Sequence, residues 1–226
     1  MNTDASVSVQ PYSLAAPLNP QWSLQDLQTH LGGVPLSRIR LWPPPGAASE
    51  EDFSRNPDHC ELIDGVLVEK AMGYFQGWIA AELIYFLSKF VREHDLGIVL
   101  GDNSPYRLQP KSIREPDISY FGWARFPGRV PPAVNVLPFA PDLAVEIVSD
   151  GNTAAEMERK RQEFFAAGTH AFWVVEPVLR TIEVSTTYAA PQLLREGDTL
   201  IGGEVLPGFV LPLTELFARC PRPISE

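Results

Sequence analysis

The residue that most needs a chemical explanation is Glu146. It lies in the run Leu-Ala-Val-Glu-Ile-Val at positions 143–148, where every neighbouring side chain is apolar. A buried carboxylate is costly unless it is ion-paired, hydrogen-bonded or bound to a metal, and burial without a partner raises its pKa. Two interpretations are open from this pattern: a structural ion pair or strand-end residue, and a carboxylate that performs chemistry.

Asp117 is a second candidate acid. It follows Pro116 at the start of another apolar segment, where an aspartate alone is usually a local cap. On a strand beside that of Glu146, it could share a hard divalent cation, because Mg²⁺ takes a couple of carboxylates and keeps several waters. Such an ion, Mg²⁺ or Mn²⁺, would polarise a phosphate and lower the pKa of an attacking water.

Lys160 is the candidate positive charge. It lies three residues after Met157 and four before Phe164, at the border of the helix face expected to pack on a sheet. Periodicity does not select it uniquely, because Arg159 and Arg161 are adjacent and Arg161 lies nearer the middle of that stripe. A lysine here either extends its ammonium to solvent or orients a water and stabilises charge on a phosphate.

Hydrophobic spacing predicts the first elements that must position these residues. The Asp64-Gly65 pair between two apolar runs predicts a β-hairpin with a type I′ turn over residues 61–69. Apolar residues at spacings of three and four then predict a long helix over residues 76–91. A short helix after Ser23 is also expected, because this serine is a suitable N-cap.

A second helix is predicted to follow the strand that carries Glu146. Thr153 and Glu156 have the spacing of a capping box, and Gly168 suits the residue just past a helix end at about residue 167. A short C-terminal helix is expected at 213–217. Strands are predicted at 97–100, 106–108 (as the partner of 97–100), 116–121, 143–148, 171–175 and 181–184, which gives one sheet crossed by two helices.

Composition limits the class of protein. The chain has 226 residues, 45% of them hydrophobic, which is typical of a globular protein. Its net charge of -10 argues against broad non-specific binding to nucleic acid, although a divalent ion would partly offset acidic residues locally. Cys60 and Cys220 are too few for a disulfide framework. Neither a signal peptide nor a membrane span is visible, so a cytoplasmic protein is expected.

Other residue types give weaker signals. The basic residues near the middle strands could contact phosphates, but a solvated surface is the simpler interpretation: Arg107, Lys111, Arg114 and Arg125. The histidines show no metal-ligand spacing: His30, His59, His94 and His170. A nucleophile elbow, a P-loop and a dinucleotide fingerprint are absent from the sequence. A glycosidase would need two acids facing an open aromatic cleft, which nothing in the strand context indicates.

Five motifs occur in an order that is more specific than any one of them. They are Glu61–Gly65, Pro116–Ser119, Leu143–Ser149, Lys160–Gly168, and Trp173 ahead of Glu176-Pro177. As an ordered set they resemble the bacterial putative restriction endonuclease family within the PD-(D/E)XK nuclease superfamily. The resemblance spans about residues 59 to 217.

The resemblance implies a fold and a site. The fold would be α/β, a restriction-endonuclease-like core with a mixed central sheet flanked by helices and an added N-terminal arm and hairpin. The site would be a Mg²⁺-dependent phosphodiesterase centre in which Asp117 and Glu146 bind the metal. The superfamily pattern expects a lysine at the position of Val148; the family that this chain resembles supplies it from the next helix, where Lys160 matches.

The resemblance also shows a departure near the start of the first long helix. Relatives commonly place an acidic or histidine side chain there, and this chain has Gln76. Glutamine can orient a water but adds no charge for metal binding. Glu82 could substitute, although it lies deeper in the helix than expected. The catalytic set predicted from the sequence is Asp117, Glu146, Lys160 and Gln76.

Four segments and two functions follow from these observations. The segments are a poorly ordered tail at 1–20, an N-terminal arm at 21–58, a nuclease-like domain at 59–218 and a C-terminal tail at 219–226. The leading hypothesis is a Mg²⁺-dependent endonuclease that hydrolyses phosphodiester bonds in DNA, with a homodimer expected because cutting two strands takes two sites. The alternative is a catalytically inactive nuclease-fold protein that serves as a binding or assembly module.

Overall fold

The computed structural model describes residues 18–19, 21–56, 59–71, 73–187 and 189–220. Its α-helices are α1 (Leu24–His30), α2 (Glu50–Arg55), α3 (Tyr74–Glu93), α4 (Ala154–Ala166) and α5 (Leu213–Arg219). Its strands are β1 (Cys60–Ile63), β2 (Val66–Glu69), β3 (Gly97–Leu100), β4 (Tyr106–Gln109), β5 (Ser112–Arg114), β6 (Ile118–Gly122), β7 (Leu143–Ile147), β8 (Ala171–Glu176), β9 (Thr181–Thr186), β10 (Ala189–Arg195), β11 (Thr199–Ile201) and β12 (Val210–Pro212).

The central sheet has six strands in the order β10-β9-β8-β7-β6-β3. β7 and β8 are parallel, and every other pair in this sheet is antiparallel. The parallel pair is joined by α4, as expected because parallel neighbours need a crossover connection. The predicted mixed sheet flanked by helices is therefore confirmed; Glu146 lies in β7, and Asp117 immediately precedes the neighbouring strand β6.

The two long helices cover opposite faces of this sheet. The apolar stripe of α3, with Ile79 and Leu83 at its centre, packs against Ile118 and Val145 on one face. Phe164 of α4 packs with alternate residues of the same strands on the other face: Phe121, Ala144 and Phe172. Since side chains alternate across a strand, this pattern assigns even-numbered residues of β7, including Glu146, to the α4 side.

The predicted hairpin is confirmed, and Thr153 does cap α4, but the predicted capping box is incomplete because the Glu156 carboxylate binds Arg38 and Asn152 instead. β1 and β2 pair antiparallel across Asp64 and Gly65, whose φ angles of 50° and 76° are the positive values that a type I′ turn requires. The Thr153 side chain accepts from the Glu156 amide at 3.0 Å and begins α4.

Two predictions about strand pairing are wrong. Residues 106–108 do not pair with β3, because β3 pairs with β6 and β4 pairs with β5. The strands also form three sheets, since the hairpin belongs to a second sheet of order β2-β1-β5-β4 and β11-β12 form a third. Hydrophobic alternation identifies a strand but not its partner, which the packing of distant segments selects.

The N-terminal arm packs on the hairpin sheet. Leu27 and Leu31 are buried against Ile63 and Val66. The guanidinium of Arg38 donates to both carboxylate oxygens of Glu156 on α4, at 2.8 and 3.0 Å, and so ties the arm to the helix that carries Lys160.

Both predicted tails fall largely outside the described residues, at positions 1–17 and 221–226. Among the helices that the structure describes, none is both long and apolar enough to cross a membrane.

Candidate active site

Asp117 is the residue immediately before β6. One of its oxygens, Oδ2, accepts a hydrogen bond from the Ile147 amide at 2.7 Å. The other, Oδ1, faces the Lys70 ammonium at 3.3 Å. The carboxylate also lines a cavity of 260 Å³ together with Gln76 and Asp102. The main chain of β7 thus fixes the orientation of Asp117 and leaves Oδ1 directed at cationic partners.

Glu146 lies directly across from Asp117. β6 pairs with β7 in the register Ile118↔Val145, and extending this register by one residue places Asp117 opposite Glu146. In the structure Asp117 lines a cavity with residues of α3, and Glu146 binds Lys160 of α4; the register brings the two acids to the same end of the β6–β7 pair.

Lys160 meets Glu146 from α4. Its Nζ donates to both carboxylate oxygens of Glu146 at 2.9 Å and lies 3.2 Å from Oε1 of Glu61. The lysine side chain is 3% exposed, so it does not extend to solvent. Arg161, the alternative from helical periodicity, instead pairs with Glu158 on the outer face of the helix. Because an ammonium has three protons, these contacts engage all of them.

Glu61 is a functional candidate to which the sequence prediction assigned no role. It belongs to β1, is fully buried, and contacts both Lys160 and the Arg114 guanidinium, the latter at 2.8 Å. These cations hold the pKa of Glu61 at about 2 against its burial. The sequence does contain a signal for Glu61, the same one that identified Glu146. It is an acid within an apolar run, here Cys60-Glu61-Leu62-Ile63.

These contacts continue as an alternating chain of acids and bases, which we call the buried charge network. From Arg114 it passes to Glu163 at 2.7 Å, then to Arg159 at 2.6 Å and to Asp64 at 2.7 Å. His30 joins Asp64 at 2.9 Å. Besides His30, the network comprises four acids and three bases: Glu146, Lys160, Glu61, Arg114, Glu163, Arg159 and Asp64.

Glu146 is the member of this network least compensated for its burial. Burial is the largest influence and raises the pKa of Glu146 to about 8, with the negative charges of Asp117 and Glu61 acting in the same direction against Lys160. Burial likewise raises the pKa of nearby Glu115 to about 7. The site therefore holds more acidic groups than its own cations neutralise.

Lys70 was also missed by the sequence prediction. It directly follows β2, its side chain is 3% exposed, and its ammonium contacts both Asp102 and Asp117. The acids around it, Asp117 foremost, hold the pKa of Lys70 above its usual range although burial opposes this. The only local signal is a lysine that ends an apolar strand, which is a common surface pattern.

Gln76 lines the same cavity as Asp117. It is in the first turn of α3 and donates from Nε2 to the Val148 carbonyl at 3.3 Å. Glu82, the suggested substitute, lies 3.9 Å from Arg219 and is not among the cavity-lining residues.

The basic residues that were considered for phosphate contact have other partners. Arg114 is fully buried, so its predicted position on a solvated surface is wrong. Arg107 binds Glu50, Lys111 binds the Gly46 carbonyl, and Arg125 binds Asp142.

The donor set fits a hard divalent cation in type. Asp117 and Glu146 lie at the same end of the β6–β7 pair, and Mg²⁺ needs only one or two carboxylates when waters complete its shell. Within the described ranges, no three His, Cys, Asp or Glu side chains converge as a metal cage. The residues present would therefore hold a partly hydrated ion, at the place where a cationic side chain already contacts Asp117.

Comparison with known proteins gives a family match and structural matches. A family model described as Uma2, putative restriction endonuclease, matches residues 50–214. Among solved structures, the chain is similar to a putative nuclease belonging to DUF820 from Anabaena variabilis ATCC 29413, with 19% identity and a TM-score of 0.67 over 76% of this chain and 99% of that one. No curated protein matches. The predicted family resemblance and restriction-endonuclease-like fold are both confirmed.

Arg114→Met is expected to lower the free energy of unfolding by about 3–5 kcal/mol, because it leaves Glu61 and Glu163 buried without their shared cation. Urea denaturation at pH 7 measures this. Arg55→Met is the matched control, since Arg55 forms an exposed pair with Glu51 and should change stability by less than about 1 kcal/mol. Equal effects of the two substitutions would show that the network does not depend on Arg114.

The stabilising charge of Glu61 should show a definite pH dependence. Its pKa in the folded protein, about 2, lies below its ordinary value of 4.5. Its contribution is therefore complete above pH 4.5 and lost as the pH falls toward 2. Glu61→Gln should be least stable relative to the parent protein at pH 5–7, and the gap should narrow by pH 3. Denaturation curves across this pH range test the prediction. The exposed control Glu51→Gln should differ from the parent protein by the same free energy of unfolding at every pH, and such a constant difference for Glu61→Gln would refute the prediction.

Proposed function

Because the chain belongs to the Uma2 family of putative restriction endonucleases, we propose that it is a metal-dependent endonuclease that hydrolyses phosphodiester bonds in DNA. One observation carries this proposal: the register of β6 and β7 brings Asp117 and Glu146 to the same end of this strand pair, and Lys160 holds both oxygens of Glu146.

Asp117 and Glu146 would hold the ion, Mg²⁺ or Mn²⁺. When bound, it would supply Lewis acidity toward the phosphate and lower the pKa of an attacking water. The acidic excess of the site favours such an ion, because a divalent cation stabilises the ionised form of Glu146 that burial otherwise disfavours. The attraction for the ion would come from the acidic residues of the site itself.

The residues of the chain itself do the positioning. The Ile147 amide fixes Oδ2 of Asp117 and thereby directs Oδ1 outward. Lys160 fixes both oxygens of Glu146, which supports a role in positioning this carboxylate. The contact with a transferring phosphate that the sequence suggested for Lys160 would require it to release Glu61 or one Glu146 oxygen first.

Gln76 would act on water. Its amide is fixed against the Val148 carbonyl, and Gly73 leaves room for its oxygen, since a Cβ at Gly73 would lie only 2.3 Å from Oε1. A neutral amide can orient a water by hydrogen bonding but adds nothing to the charge that binds a metal.

The alternative is a nuclease-fold protein without activity that serves as a binding or assembly module. Two observations favour it: Gln76 is uncharged, and the ammonium of Lys70 lies against Asp117. A homodimer remains an expectation of the nuclease, because cutting two strands takes two sites, with the N-terminal arm and the proline-rich segment 124–141 as candidate contacts.

Glu146→Gln should slow cleavage at least about a hundredfold, because the amide keeps the shape of the carboxylate but removes a charged metal ligand. The assay is cleavage of plasmid and single-stranded DNA by purified protein with Mg²⁺ or Mn²⁺, and with EDTA as the metal-free reference. Glu158→Gln, on the outer face of α4, should cleave like the parent protein. Equal cleavage by Glu146→Gln, or no cleavage by the parent with either metal, would reject the enzyme and leave the binding module.

A further inference from the structure

Lys70 is the buried cation that the proposed chemistry does not use. Its stem is enclosed behind β2, and its ammonium reaches the same cavity wall as Asp117 and Asp102. A lysine is seldom fully buried unless it is paired. Here the pairing is with a residue that the proposed function assigns to a metal.

The ammonium lies on the oxygen that a metal would need. Oδ2 of Asp117 is engaged by the Ile147 amide at 2.7 Å, whereas Oδ1 is 3.3 Å from the Lys70 Nζ. Glu146 also acts electrostatically on Lys70, as does Asp102. A positive charge in contact with Asp117 and within the field of Glu146 occupies a position where the two acids together favour a cation.

We propose that the Lys70 ammonium is an internal cation that occupies the metal position of this site, so that a divalent ion binds Asp117 only by displacing it. This inference rests on the proposed function, since it takes Asp117 and Glu146 as the metal ligands. It adds a regulatory property, namely that the site rejects metal until the ion is concentrated enough to compete with a tethered lysine.

Asp102 is placed to receive the displaced ammonium. It is already the closer of the two contacts of Lys70, and its side chain is 36% exposed at the cavity. Lysine has a flexible four-carbon stem, so the ammonium can leave Asp117 while keeping Asp102. If Lys70 stayed in place, the ammonium and the ion would repel each other strongly in a partly dry site.

The test is the affinity of the full chain for Mn²⁺ without nucleic acid, measured by isothermal titration calorimetry. Lys70→Met keeps an apolar stem and removes the charge, and it should bind Mn²⁺ about tenfold more tightly or better. Lys89→Met is the matched control: Lys89 is an exposed residue of α3, about 20 Å along the helix from Gln76, and its loss should leave the affinity unchanged. Equal affinities of Lys70→Met and the parent would overturn the inference.

A double-mutant cycle separates displacement from a general charge effect. Asp102→Asn removes the receiving carboxylate, so it should weaken Mn²⁺ binding at least about threefold in the parent chain and have no effect in the Lys70→Met background. Equal weakening in both backgrounds would make Asp102 a direct metal ligand and overturn the displacement.

Folding is checked by circular dichroism. If Lys70→Met unfolds because its acids repel one another, restoration by Mn²⁺ but not by the same concentration of K⁺ supports the inference, and no restoration overturns it. DNA cleavage by the parent protein decides the proposed function separately. If the parent protein cleaves DNA but Lys70→Met binds Mn²⁺ no more tightly than the parent, the proposed nuclease function stands and only the inference about Lys70 is rejected.

Discussion

Two buried carboxylates, Glu146 and Glu61, share the ammonium of Lys160. Glu146 belongs to the central six-stranded sheet, Glu61 to the four-stranded hairpin sheet, and Lys160 to the helix between β7 and β8. The shared contact therefore joins three separate parts of the fold at one point. Removing Lys160 would leave Glu146 buried without its paired cation, so this interaction helps to hold the two sheets together.

The same arrangement explains why the site is acidic although it lies in the interior. A buried ion network is stable only if its hydrogen bonds are satisfied, and apolar replacements often fold as well. Apart from His30, the network contains one more acid than base, and burial raises the pKa of Glu146. This imbalance weakens the structure locally, and it favours a cation from outside the network. The Lys70 ammonium and a divalent metal ion are two cations that could fill this role.

The sequence predicted what depends on local patterns. The hairpin at Asp64-Gly65, the stripe of α3 and the cap at Thr153 follow from spacing and turn chemistry, and Glu146 was identified as an acid in an apolar strand. Glu61 and Lys70 were missed because their roles come from partners far away in the chain, on α4 and β6. The pairing of the strands was predicted wrongly for the same reason, since the alternation of apolar residues does not specify which distant strand completes a sheet.

The most direct test of this account is a crystal structure of the full chain soaked in Mn²⁺, with anomalous scattering to locate the metal. We expect an anomalous peak within bonding distance of Oδ1 of Asp117 and a carboxylate oxygen of Glu146, with the Lys70 ammonium moved off Asp117 onto Asp102. A saturating soak that leaves Lys70 on Asp117 and no peak between the two acids would contradict it.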